Sequence, residues 1–151
     1  MLEGQISNQS DKVNLAVLYV VSVSTSLIIG EPLVFAADCS GHRVQVFNAN
    51  TGAFIRTIGS GQGSGAGQMS YSMGVCILPS ASNSNADPML YVADYSNSRI
   101  QVFNANTGAH VRMIGSGQGS ALCVIVARKS DDGSPFVYVG DASSNCIKLL
   151  S

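Results

Sequence analysis

The chain has 151 residues, of which 46% are hydrophobic and only 11% are charged. This composition is too apolar for a disordered chain, and it carries too few charges for helices covered in ion pairs. The net charge of −1 comes from eight basic and nine acidic residues without a basic cluster, which argues against binding to nucleic acid backbones. Short strands joined by Gly, Ser and Asn turns are therefore predicted, in an all-β fold.

The first predicted element is the strongly apolar segment 13–29. It is rich in β-branched residues, contains several Ser and Thr, and follows Asp11 and Lys12 rather than a basic region. We therefore predict two buried strands joined by a Ser/Thr turn, and neither a membrane span nor a secretory leader. Without a leader, the cytoplasm is the expected compartment. Free thiols are expected there for the four cysteines, which are Cys39, Cys76, Cys123 and Cys146.

A long internal repeat follows. A stretch of 31 residues from Val34 recurs from Leu90 with 21 identical positions, and a weaker copy begins at Val137. In each copy an apolar run ends in an aspartate, a polar turn follows, and the next run alternates with period two. The full copies continue through Asn-Ala-Asn-Thr-Gly into a further strand, and Gly52 and Gly108 are expected to close these turns at positive φ.

Gly/Ser/Gln runs at 59–65 and 115–119 follow the last strand of each full copy. Neither run is followed by Gly-Lys-Ser/Thr or by a helix pattern, so both are interpreted as linkers rather than phosphate-binding loops. Units of four antiparallel strands are typical of propeller blades, which must stack on neighbours to bury their faces. We predict one domain, with approximate blades at 1–63, 64–119 and 120–151.

The repeat carries a family resemblance. The segments VFAADCSGHRVQVF and LYVADYSNSRIQVF resemble the core of NHL repeats, and GAGQMSYSMGVCIL resembles the first strand of that repeat. The resemblance implies an incomplete NHL-like β-propeller of about three four-stranded antiparallel blades, the last of them partial. Such propellers usually close with about six blades. This chain is therefore either a fragment of a longer protein, which we favour, or it self-associates through exposed blade edges.

The third unit departs from the other two. Cys146 stands at the position of Arg43 and Arg99, and the unit lacks about nine residues between Ser120 and Ala121 that the second unit has. We expect its inner strand to be poorly positioned for that reason. Cys76 and Cys123 are assigned to matching inner-strand positions, as small buried residues rather than nucleophiles.

The recurring Asp-x4-Arg pairs are expected to be structural, with the aspartate bonded to turn amides and the arginine reaching back across the hairpin. The turns that carry them, 39–42 and 95–98, are expected to share one face with the linkers. That face holds the polar and aromatic groups best placed for a partner. The predicted partner-binding residues are His42, Arg43, Tyr95, Asn97 and Arg99.

No catalytic residue, cofactor or metal site is predicted. The two histidines lack a convergent set of Cys, Asp or His ligands, and no serine lies in a Gly-x-Ser-x-Gly turn. The leading hypothesis is a noncatalytic interaction module that binds a protein partner through its loop face. Two alternatives stay open, and both come from the family resemblance: an RNA-binding propeller, and a fragment of a six-bladed metal-dependent lyase.

Overall fold

The computed structural model describes residues 18–28, 31–78, 87–115, 121–128 and 135–150. These residues form eleven strands and one three-residue 3-10 helix, and no α-helix is found among them. The all-β class is thereby confirmed. The strands lie in three separate antiparallel sheets, in which neighbours along the chain are neighbours in space.

Sheet 1 and sheet 2 have four strands each. Sheet 1 consists of β1 (Leu18–Ile28), β2 (Glu31–Asp38), β3 (Arg43–Asn48) and β4 (Phe54–Ile58). Sheet 2 consists of β5 (Ser72–Leu78), β6 (Met89–Asp94), β7 (Arg99–Asn104) and β8 (His110–Ile114), with the 3-10 helix Tyr95–Asn97 between β6 and β7. The β3–β4 and β7–β8 turns contain Gly52 at φ 72° and Gly108 at φ 78°, which confirms the positive φ expected from the sequence.

Sheet 3 has three strands within the described part of the chain: β9 (Ala121–Arg128), β10 (Pro135–Asp141) and β11 (Cys146–Leu150). The expectation that its inner strand would be poorly positioned is wrong. β9 pairs with β10 from Arg128 to Ala121, with one irregularity beside Gly140. β9 is thus in register with β10, although the connection that precedes β9 is shorter than in the second unit.

Two further expectations need correction. The described part of segment 13–29 is one strand, β1, and not two strands around a Ser/Thr turn; the segment instead absorbs its extra residues as a register shift between Ser22 and Ser26. Residues 13–17 lie outside the described residues. The two inner-strand cysteines do not match in register either, because Cys76 pairs with Tyr91 whereas Cys123 pairs with Gly140.

The sheets stack face to face, and two hydrophobic cores lie between them. We call the face that each sheet turns toward the following sheet its forward face, and the opposite one its rear face. Phe35, Ala37, Val44 and Val46 on the forward face of sheet 1 pack against Leu90, Val92 and Phe103 on the rear face of sheet 2. Tyr91, Ala93, Ile100 and Val102 on the forward face of sheet 2 pack against Val137 and Val139 on the rear face of sheet 3.

This packing follows from strand geometry. Successive residues of a strand point to opposite faces, so an apolar run such as Leu90-Tyr-Val-Ala supplies both cores at once. A strand buried on both faces needs apolar residues at every position rather than at alternate ones. Each sheet therefore depends on its neighbours for burial.

Candidate functional site

Three equivalent carboxylates lie at the ends of β2, β6 and β10, which are the second strands of the three sheets. Asp38, Asp94 and Asp141 are 1%, 0% and 3% exposed. Each forms an ion pair: Arg43 Nε lies 2.8 Å from Asp38, Arg99 Nε 2.7 Å from Asp94, and Lys148 Nζ 2.5 Å from Asp141. A buried carboxylate needs such a partner, since an unpaired charge away from water is costly.

In sheet 2 the carboxylate of Asp94 is the centre of a polar cluster. It accepts hydrogen bonds from the backbone amide of Ser70 at 2.7 Å, from Asn97 at 2.9 Å and from Gln101 at 3.0 Å, besides its pair with Arg99. Ser70 belongs to the connection between β4 and β5. The cluster therefore joins the turn of sheet 2 to the chain that arrives from sheet 1.

The same cluster binds the Gly/Ser/Gln linker through its main chain. Arg99 donates from Nη1 to the carbonyl of Ser64 at 2.7 Å, and from Nη2 to the carbonyls of Gly65 and Gln68 at 3.0 and 2.9 Å. The Gly67 amide donates to Gln101 at 3.0 Å. All of these contacts are to backbone atoms of a bent loop, in which the Gln68 amide donates to the Gly65 carbonyl at 3.2 Å and Gly67 has φ 75°. A guanidinium and an amide together therefore recognise main-chain groups of a turn rather than particular side chains.

Sheet 1 has the equivalent residues, but the contacts and the exposure of its arginine differ. Asp38 accepts hydrogen bonds from the Gly41 amide at 3.0 Å, from Arg43 Nε at 2.8 Å and from Gln45 at 2.9 Å. Within the described ranges, Nε is the only nitrogen of Arg43 that donates a hydrogen bond. The side chain of Arg43 is 39% exposed, whereas that of Arg99 is 7% exposed. The two guanidinium nitrogens that hold a linker in sheet 2 therefore have no hydrogen-bond partner among the described residues around sheet 1.

An aromatic pair lies beside Arg43. His42 adopts φ 53° at the end of the turn, and its Nδ1 accepts a hydrogen bond from the Tyr71 amide at 3.0 Å. The two rings meet edge to face with centroids 4.9 Å apart, and Tyr71 is 45% exposed. The Ser72 hydroxyl donates to the Arg43 carbonyl at 2.9 Å, which keeps this segment against the turn. The result is a polar and aromatic surface with an open cation, which we call the Arg43 surface (His42, Arg43 and Tyr71).

The five partner-binding residues predicted from the sequence thus lie close to one linker, but they make different contacts. His42 contacts Tyr71, and the Tyr95 amide donates to the carbonyl of the same Tyr71 at 3.1 Å. Asn97 donates to the Gly63 carbonyl at 2.9 Å, so Asn97 and Arg99 are occupied within the chain. Arg99 is buried, whereas the other four predicted residues are half-buried.

Four contributors were not predicted as site residues. Tyr71, Gln45 and Gln101 complete these contacts, and Lys148 replaces the missing arginine of the third unit. A signal existed for the glutamines, because a polar residue recurs seven positions after the aspartate inside an otherwise apolar strand. Lys148 occupies that same offset in the third unit.

A groove of about 280 Å³ lies between the β4 end, the linker and the β7–β8 hairpin. Its lining consists of Thr57, Gly59, Ser60, Ala66, Gly67, Phe103, Thr107, Gly108 and His110. His110 is the one titratable side chain in that lining, and its ring lies edge to face on Phe103 at 5.5 Å. A single histidine without a second acid, base or ligand provides no reaction chemistry there.

Burial and hydrogen bonding shift the pKa values of Asp38, Asp141 and Cys39 from their ordinary values. Burial alone would raise the pKa of Asp38, but hydrogen bonds from Arg43, Gln45 and the Gly41 amide outweigh it and hold the pKa below its ordinary value of 3.8. The Lys148 ammonium, followed by hydrogen bonds from Ser143, lowers the pKa of Asp141 well below that value. Burial, with the nearby charge of Asp38, raises the pKa of the Cys39 thiol, which disfavours the nucleophilic thiolate.

These shifts predict acid lability. A carboxylate whose pKa is lower in the folded state stabilises the fold above its unfolded pKa, and this contribution is lost as the pH falls through the folded value. We measure the urea concentration at the midpoint of unfolding by circular dichroism. We expect it to be constant near neutral pH and to decrease once the pH is lowered below about 4. A double variant, Asp38→Asn with Asp141→Asn, should start from a lower midpoint and lose less of it on acidification. An equal loss in both proteins would contradict this assignment.

Within the described ranges, no three His, Cys, Asp or Glu side chains converge as metal ligands would. Cys39, Cys76 and Cys146 have free thiols. Among the described residues there is no helix with the length and apolar character needed to cross a membrane.

The fold and the site define an all-β protein of three stacked antiparallel sheets with an open arginine at one turn. No family model matches the chain, and no curated protein matches it. Among solved structures, it is similar to that of a "Putative phosphatase" from Bacteroides thetaiotaomicron VPI-5482, with a TM-score of 0.56 and 13% sequence identity. The alignment covers 79% of this chain and 32% of that one, so the chain spans about a third of the other protein's length. At this identity the similarity concerns the fold alone.

Proposed function

We propose that this chain is a noncatalytic interaction module, built as an incomplete NHL-like β-propeller, that binds a bent loop of a protein partner at the Arg43 surface. The three consecutive antiparallel sheets, stacked in chain order and bearing one repeated motif, support the interpretation of each sheet as a blade. The cytoplasm stays the predicted compartment.

One observation carries the binding proposal. In sheet 2 the Asp–Arg–Gln cluster holds a Gly/Ser/Gln segment by its backbone carbonyls, with three hydrogen bonds from Arg99 alone. In sheet 1 the same cluster, in the same geometry around Asp38, holds no such segment among the described residues. The molecule thus contains both a filled example of the site and an open copy of it.

The open copy is pre-organised for this task. The pair with Asp38 fixes the 39% exposed side chain of Arg43 at Nε, so little side-chain freedom remains to be lost when the Nη groups bind a partner. The exposed ring of Tyr71 offers an apolar contact beside the cation. A bent loop with several free carbonyls and small side chains, rich in Gly and Ser, fits this surface.

A peptide experiment tests the proposal. A fluorescently labelled synthetic peptide with the sequence of residues 59–72 serves as the probe, and its anisotropy is followed on titration with the intact chain. We expect saturable binding that Arg43→Ala weakens about tenfold or more, since a hydrogen bond to a charged group contributes about 1.5–3 kcal/mol. Arg43→Lys should recover only part of the affinity, because a single ammonium cannot reproduce the fork of the guanidinium.

The matched control is Arg112→Ala, which removes an exposed arginine from β8 in sheet 2. It changes the net charge by the same amount, and we expect it to leave the affinity unchanged. Absence of peptide binding, or equal losses in Arg43→Ala and Arg112→Ala, would show that the Arg43 surface does not bind such a loop.

A further inference from the structure

The linker in the Arg99 cluster is held through its shape. The carbonyls of Ser64, Gly65 and Gln68 converge on one guanidinium, at 2.7, 3.0 and 2.9 Å from its Nη atoms. Neighbouring carbonyls of an extended strand point to opposite sides, so those of Ser64 and Gly65 could not both reach one guanidinium from a strand. Binding by Arg99 therefore depends on the residues that bend this loop.

Gln68 closes the bend. Its side-chain Oε1 accepts a hydrogen bond from the Gly65 amide at 3.0 Å, while its own carbonyl binds Arg99. The side chain folds over Gly65 so closely that a Cβ there would lie 2.8 Å from Oε1. A glutamine can therefore close this loop only when the residue three positions before it is glycine.

Gly67 turns the chain immediately before Gln68. Its φ of 75° lies in the left-handed region, which glycine adopts freely and which an L-residue populates about five- to thirtyfold less. Ala66, between the two glycines, is exposed, so this position places no demand on residue type. The bent loop thus has a sequence requirement at residues 65–68, which is Gly-x-Gly-Gln.

We propose that the partner loop bound at the Arg43 surface carries the sequence Gly-x-Gly-Gln. This inference rests on the proposed function and specifies which loops the surface accepts. Arg43 is tied to Asp38 through Nε at 2.8 Å, as Arg99 is to Asp94 at 2.7 Å, so both guanidinium groups offer their two Nη atoms to the same kind of carbonyl cluster. A loop that closes itself through its glutamine loses less conformational freedom on binding than one that the surface has to bend.

Variants of the labelled peptide with the sequence of residues 59–72 test this requirement, by anisotropy on titration with the intact chain. We expect Gly67→Ala to weaken binding about five- to thirtyfold, and D-alanine at the same position to restore most of the affinity, because a D-residue prefers positive φ. Gln68→Met keeps the length of the side chain but removes its acceptor, and it should weaken binding about two- to tenfold. With the Arg43→Ala chain these differences should disappear, since no guanidinium then binds the carbonyls.

Ala66→Ser is the matched peptide control, and it should bind as the parent peptide does. If the parent peptide binds but Gly67→Ala or Gln68→Met binds equally well, the proposed function stands and the sequence requirement is wrong. Equal losses with L- and D-alanine would also overturn the requirement, because the handedness of the backbone would then not set the affinity. If no peptide binds, the proposed function fails together with this inference.

Discussion

Replacing Asp94 by asparagine is expected to destabilise the protein by about 3–5 kcal/mol, the usual cost of removing one partner of a buried ion pair. The carboxylate is fully buried and receives hydrogen bonds from Ser70, Asn97, Arg99 and Gln101. Asparagine has the same shape, but its NH2 group is a hydrogen-bond donor and would face the donors that now bind the carboxylate. Arg99, 7% exposed, would be left as a buried charge without its counter-ion.

Asp38→Asn is the internal control for this prediction. The same change in sheet 1 leaves Arg43, which is 39% exposed and can be solvated by water, so the loss should be only about 1–2 kcal/mol. Urea unfolding at neutral pH, followed by circular dichroism, measures both differences. Equal losses for the two variants would mean that the burial of the arginine does not set the cost.

The contrast between these two aspartates also shows how far the sequence can predict the site. The Asp–Arg pairing, the turn glycines and the strand positions of the two full repeats follow from local pattern, because hairpins are determined by residues close in the chain. The states of Arg43 and Arg99 do not follow. Both lie in nearly identical segments, and they differ because a linker arrives at one of them from a preceding sheet.

Other failures have the same origin. Spacing predicts equivalent positions for Cys76 and Cys123, but strand pairing sets register, and their partners differ. A Ser/Thr cluster in segment 13–29 predicts a turn between two strands, whereas pairing with β2 keeps β1 continuous past Ser22 and Ser26. Lys148 compensates for the lost arginine from two positions further along the strand, at the position of Gln45 and Gln101, and its ammonium contacts Asp141.

The largest packing effect is expected at the first contact between sheets. Phe35 is fully buried between sheets 1 and 2, and Phe35→Ala should cost about 3–5 kcal/mol, from lost apolar burial and from the cavity left behind. Tyr91→Ala should cost a similar amount between sheets 2 and 3, since Tyr91 is 1% exposed in the equivalent position. Urea unfolding measures both losses.

Tyr138→Ala is the control for Phe35→Ala and Tyr91→Ala. Tyr138 holds the same repeat position, but it is 39% exposed on the uncovered face of sheet 3. At a concentration where light scattering shows a monomer, Tyr138→Ala should change the unfolding free energy by only about 0.5 kcal/mol. One position would then have a large effect in two sheets and almost none in the third, because only a following sheet makes it part of a core. A large loss at Tyr138 would mean that sheet 3 is already covered within the monomer, whereas small losses at Phe35 and Tyr91 would mean that the sheets do not stack.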